Sequence, residues 1–132
     1  MIQKSLSHDQ LQSKCHVWMW NNYPELRGLF HTNFSDFKVV DRLLGALAGI
    51  RITQQQRSII LSQLKTIGLV KGTWDSEFLY AGILHYLECK ILPDDLSPEQ
   101  IEFKRINENN GANFHVYHDF EEFENIIKGI VK

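Results

Sequence analysis

The sequence predicts an α/β fold in which helices flank a β-hairpin and a further short strand, and three observations predict it. Two runs rich in aromatic and aliphatic residues, Asp75 to Tyr80 and Ile83 to Ile91, are separated only by Ala81-Gly82, which fits a hairpin closed by a two-residue turn. A third β-type run, Asn113 to His118, lies between two segments that carry helix signatures. Helix-capping patterns also stand ahead of the hairpin, at Ser7 or Asp9 and at Thr53.

The elements follow in order. A first helix is expected from about Ser7 to Asn22, because Leu11, Cys15, Trp18 and Met19 recur at helical spacing, and Pro24 ends it. The stretch from Leu29 to Asp36 reads as a loop, and a second helix is expected over Val39 to Ala48, a segment interrupted by Gly45 and followed by Gly49. A third runs from about Thr53 to Thr66, with an apolar stripe of Ile59, Ile60, Leu64 and Ile67 and with Gly68 suited to its C-terminal cap. After the hairpin, LSPEQIEFKRINENNG has Ser97 as N-cap, Pro98 at the first helical position, Gln100 at the capping-box position and Gly111 as terminator. The last helix, DFEEFENIIKGIVK, is capped by Asp119 and carries acids in its first turn, where they oppose the positive end of the helix dipole.

A chain of 132 residues is expected to form a single domain, residues 1–132, that buries a core without disulfides. No apolar run is long enough to span a bilayer, so no membrane role is expected. The opening MIQKSLSHDQLQ lacks the basic-then-apolar pattern of a secretory signal, and a cytoplasmic location is expected. Cys15 and Cys89 form no CxxC pair, which argues for buried thiols and against a zinc or redox motif. The net charge of −2 gives no global attraction to nucleic acid, but its distribution is uneven. Between Lys38 and Lys71 the bases Lys38, Arg42, Arg51, Arg57, Lys65 and Lys71 face the single acid Asp41, so this part is either a backbone-binding face for nucleic acid or a solvated helix surface.

The chemistry concentrates at the end of the hairpin. With a two-residue loop at Ala81-Gly82, opposed positions sum to 163, which sets Asp75 directly opposite Glu88. Their Cβ atoms would stand roughly 5 Å apart, close enough for two carboxylates to repel unless a cation or proton lies between them. Hard cations such as Mg²⁺ take oxygen ligands of this kind. Lys90, two residues beyond Glu88, projects to the same face, while Cys89 points to the opposite one. A metal beside a lysine is suited to phosphodiester hydrolysis, in which charge develops on the phosphorane. The plain alternative is a pair of exposed carboxylates with Lys90 as their salt-bridge partner.

Three linked segments, GLVKGTWD, GILHYLECK and LSPEQIEF, resemble in order and spacing the VRR-NUC family of the PD-(D/E)xK nuclease superfamily. That family reads loosely as G-V-x-x-G-x-P-D, a strand ending in E-x-K, and a helix opened by S-x-E-Q. The similarity covers Ile67 to Phe103 and extends more loosely to DQLQSKCHVWMWNNYPE. It implies a restriction-endonuclease-like fold with a central mixed β-sheet, a β-hairpin active site and flanking helices. It further implies Asp75, Glu88 and the backbone carbonyl of Cys89 as ligands of Mg²⁺ or Mn²⁺, Lys90 as catalytic lysine, and Gln100 as a further active-site residue. Trp74 stands where the family has proline, and where the family has a glutamate on the first helix this chain reads SHDQLQ, leaving that role to His8 or Asp9 or vacant. The loop before the third helix lacks a PNG-like turn and offers only Asn33.

The resemblance thus implies a metal-dependent DNA endonuclease, acting as a homodimer on branched or structured DNA in the manner of a Holliday-junction resolvase. The alternative is a DNA-binding module that keeps the nuclease fold without catalysis. Lys71, in the loop before Asp75, is a candidate phosphate contact, with Lys65 and Arg57 as further candidates on the third helix. The six histidines are dispersed and are expected on the surface or in the core, and Trp18, Trp20 and Tyr23 are expected to pack rather than to stack on bases.

Overall fold

The computed structural model describes residues 5–33, 45–47, 49, 51–68 and 70–132. Of the helix expected over Val39 to Ala48, residues 45–47 are helical, and the rest, with Lys38 and Arg42, lies outside the described residues.

Helix α1 spans His8–Asn22, and the capping rules place its start: the Ser7 hydroxyl accepts from the Gln10 amide while the Gln10 side chain accepts from the Ser7 amide. A 3₁₀ turn, Pro24–Leu26, leads into strand β1, Phe30–Thr32. This strand corrects the expectation of a loop from Leu29 to Asp36. Three residues carry too little periodicity to announce a strand, and β1 exists because β2 supplies its partners, Phe30 opposite Phe78 and Thr32 opposite Ser76. Helix α2, Gln54–Thr66, has the Thr53–Gln56 capping box at its start and Gly68 at φ +113° just past its end. Its expected apolar stripe is not buried among the described residues: Ile59 is 53% and Ile67 82% exposed.

Strands β2, Ser76–Tyr80, and β3, Ile83–Cys89, form the expected hairpin, and every pair in their ladder obeys the expected register. Ala81 at φ +50° and Gly82 at φ +80° make the turn, the positive φ pair of a type I′ connection that matches the twist of the strands. Helix α3, Pro98–Glu108, carries the chain over to β4, Asn113–Tyr117, which runs parallel to β3, as a parallel pair requires a crossover. Helix α4, Phe120–Ile130, is capped by the Asp119 carboxylate on the Glu122 amide. The sheet order is β1-β2-β3-β4, mixed in direction and flanked by helices, as expected.

Strand alternation divides the sheet into two faces. Phe30, Phe78, Leu87, Cys89 and Tyr117 point to one face and pack with Leu11, Cys15 and Met19 of α1 and Phe123 and Ile127 of α4. Phe123 sits edge-on to Trp18, Phe30 and Tyr117, the arrangement that ring quadrupoles favour, and burying such a side chain stabilises the fold by roughly 1.5–3 kcal/mol. The cysteines are free and buried, as expected. Trp18 also packs against Tyr23 and Phe120, while Trp20 is half exposed beneath the Arg27 guanidinium. The other face carries Tyr86 and Phe114 against Phe103 of α3, and beyond them the acidic residues. Among the described residues, no helix is long and apolar enough to cross a membrane.

Candidate active site

Past the last ladder pair, Ser76 opposite Leu87, side chains replace main chain as hydrogen-bond acceptors. The Asp75 amide donates to Glu88 Oε1 at 3.0 Å, and the Cys89 amide donates to Asp75 Oδ2 at 3.0 Å. The two carboxylates are thus opposed, as the hairpin register predicts, and each is held by main chain of the opposite strand. Lys90 stays tied to β4 through its amide on the Tyr117 carbonyl and brings its Nζ to 3.5 Å from Glu88 Oε2. Its side chain and that of Asp75 are only 17% and 16% exposed, and that of Glu88 3%, so the plain alternative of three solvated surface charges does not describe them.

Gln100 reaches the same point from α3. Its Oε1 accepts from the Ser97 amide in the capping box, which leaves Nε2 free to donate to Glu88 Oε2 at 2.9 Å. One side chain therefore fixes the start of α3 and the rotamer of Glu88. Trp74, the departure at the expected proline, is buried and donates its indole N–H to the Gln100 carbonyl at 3.1 Å while packing edge-on to Phe114. It pins the strand that carries Asp75 to the first turn of the helix that carries Gln100. Gly72, at φ +91°, lies so close to the same turn that a Cβ would fall on the Glu99 carbonyl.

Burial dominates the electrostatics of the centre. Burial, then the charge of Asp75, push the Glu88 carboxyl up to about 7, against the opposing pull of the Asp75 amide, Lys90 and Gln100. His8 brings a second cation to the acids beside Lys90. Its Nε2 lies 3.0 Å from the Cys89 carbonyl oxygen and 3.3 Å from Asp75 Oδ2, and the hydrogen bond to Asp75, followed by that to Cys89, raises its pKa to about 10. Of the two first-helix candidates, it is His8 that reaches the centre; Asp9 stands behind it, with Oδ1 3.8 Å from His8 Nδ1.

The basic candidates fall elsewhere. Lys71 Nζ pairs with Glu99 Oε1 at 3.0 Å on the exposed rim of α3, and Arg57 and Lys65 sit on α2. Asn33 is more closely engaged than its sequence context suggests: its amide donates to the Asp75 carbonyl at 2.7 Å, and its side chain to the Trp74 carbonyl and to Glu77 Oε1. Glu77, which the reading of the sequence passed over, shares the face of Asp75 and also lies 3.6 Å from His31 Nε2; the two-residue spacing that placed Lys90 beside Glu88 could have found it. A second unforeseen pair, His85 and His115, lies on the opposite face with Nδ1 and Nε2 3.0 Å apart.

Among the described residues, no three His, Cys, Asp or Glu side chains gather as a metal-binding group. The oxygen donors are Asp75, Glu88 and the Cys89 carbonyl, and the converging nitrogen is that of His8. No family model matches the chain, and no curated protein matches it in sequence. A solved structure described as a VRR_NUC domain protein aligns with 98% of this chain and 91% of its own, with a TM-score of 0.70 and 15% sequence identity. The chain thus has the fold of a VRR_NUC domain protein.

Proposed function

We propose that this chain is a metal-dependent nuclease that hydrolyses DNA phosphodiesters at the Asp75–Glu88–Lys90 centre. The observation that carries the proposal is the burial of two opposed carboxylates, each held in place by main chain of the facing strand and one also by Gln100, with a lysine at their edge. Such a pair fits a hard divalent cation, Mg²⁺ or Mn²⁺, held by Asp75, Glu88 and the Cys89 carbonyl with His8 alongside. The cation would supply charge stabilisation of the phosphorane and lower the pKa of an attacking water. The Cys89 amide orients Asp75, and Gln100 orients Glu88, so that neither acid can turn away from its partner. Lys90 meets negative charge on the phosphate or orients the water that attacks it. Action on branched or structured DNA as a homodimer extends this proposal by the motif resemblance alone.

One observation favours a second reading, a DNA-binding module of the same fold without turnover: His8 already brings positive charge to Asp75. Incubation of the purified chain with plasmid and four-way-junction DNA, with and without Mn²⁺, separates the two. Cleavage that needs Mn²⁺ and is lost in Asp75→Ala supports the nuclease. Salt-dependent DNA binding with no metal-dependent cleavage overturns it in favour of the binding module.

A further inference from the structure

We infer that His8 makes this centre selective for transition-metal ions that accept imidazole nitrogen, such as Zn²⁺ and Co²⁺, over Mg²⁺. The inference rests on the metal reading above and concerns which ion the centre takes. Three chain segments converge there: the start of α1 with His8 Nε2, the residue before β2 with Asp75 Oδ2, and the end of β3 with the Cys89 carbonyl, the nitrogen lying 3.3 Å and 3.0 Å from the two oxygens. The position is fixed from the sequence upward, because the Ser7–Gln10 capping box starts α1 at His8 and the burial of Leu11 and Cys15 sets which way that first turn faces.

The other ring nitrogen, Nδ1, has Asp9 Oδ1 at 3.8 Å. At that distance Asp9 is an exposed charge beside the ring and makes no hydrogen bond to it, so Nε2 alone is committed to the centre. Mg²⁺ favours oxygen ligands and gives up water reluctantly, whereas imidazole suits the later divalent ions. The Cys89 thiol takes no part, because it is buried on the opposite face of β3.

The test is calorimetric titration of the full chain, without nucleic acid, with Mg²⁺, Mn²⁺ and Zn²⁺ in turn, together with the visible absorption spectrum of the Co²⁺-loaded protein. Zn²⁺ is expected to bind at least about 100-fold more tightly than Mg²⁺, with Mn²⁺ between. His8→Glu is expected to narrow that ratio by about tenfold or more and to shift the Co²⁺ bands, since an oxygen replaces a nitrogen. His8→Gln is a second variant, and His8 is exposed enough for either change to be accommodated. Asp75→Ala is expected to abolish the tight Zn²⁺ site, and Zn²⁺ binding that survives it would place the ion elsewhere and overturn the inference. Equal Zn²⁺-to-Mg²⁺ ratios in the native chain and His8→Glu would overturn the selectivity while leaving the metal reading intact. If no divalent ion binds the native chain at millimolar concentration, both fall.

Discussion

Strand β3 carries two buried polar clusters, one on each face, and they differ in kind. Glu88, facing α3, meets a second carboxylate, a lysine, an amide side chain and, through Asp75, a histidine. His85, facing α4, hydrogen-bonds His115 beside the Phe78 ring, in a cleft of about 500 Å³ that Tyr80, Ile83, Asn125 and Lys132 also line. Two imidazoles can satisfy each other with a single hydrogen bond and no net charge, and burial accordingly lowers the pKa of both. The two carboxylates instead accept main-chain amides and are met by Lys90 and His8. The contrast separates a neutral polar pair in a cleft from a charged pair held by main chain and flanked by cations.

The largest expected effect separates the clusters by activity. Glu88→Ala should lower metal-dependent cleavage by about 10³-fold or more, equivalent to about 4 kcal/mol of barrier, whereas His85→Ala should leave kcat within about twofold. Steady-state cleavage of a labelled duplex measures both, and a comparable loss in His85→Ala would dissolve the distinction. For the imidazole pair the effect should fall on stability and not on cleavage. His85→Leu leaves the His115 ring nitrogen without its partner and should cost about 1–3 kcal/mol in urea denaturation with cleavage retained.

Gln100→Ala removes both a helix cap and a hydrogen bond to Glu88, so a loss of about 1 kcal/mol in stability should accompany a drop of about tenfold in cleavage. Finally, the clusters should respond oppositely to pH in the metal-free protein. Glu88 titrates at about 7 when folded against an ordinary 4.5, so the folded state keeps a proton that the unfolded chain has lost, and stability falls as pH rises through that window. The imidazole pair is lowered from 6.5, so below that pH the unfolded chain binds protons the folded pair refuses, and stability falls as pH drops. Thermal denaturation across pH should show the slope between about pH 4.5 and 7 flatten in Glu88→Gln, with the fall above pH 6.5 from the raised His8 remaining, and the second slope vanish in the His85→Leu, His115→Leu double variant.

What the sequence makes legible is local. The hairpin register, the caps at Thr53, Ser97 and Asp119, and the shared face of Glu88 and Lys90 follow from spacing and residue type, and the structure has all of them; between Ser7 and Asp9, which the sequence leaves open, it is Ser7 that caps α1. Strand β1 is not legible, because its three residues are defined by what β2 offers them. The choice of His8 over Asp9 depends on which way the first turn of α1 faces β3, and periodicity within α1 does not carry that information. The His85–His115 bond joins residues thirty positions apart across a parallel ladder whose register no turn declares. The apolar stripe of α2 shows the converse: helical spacing specifies a face, but burial requires a partner surface.

The reciprocal bonds at the open end of the hairpin bear on how such a protein would change over generations. Asp75 and Glu88 accept the amides of Cys89 and Asp75, which the ladder leaves behind where it stops. A lineage that lost the need for catalysis could not discard either acid without exposing a main-chain donor in a poorly hydrated place, so selection for a folded chain alone would preserve both. Retention of the acid pair in a descendant would then record its ancestry rather than its activity, and drift at Lys90, which takes part in no such bond through its side chain, would be the earlier sign that cutting had ceased to matter.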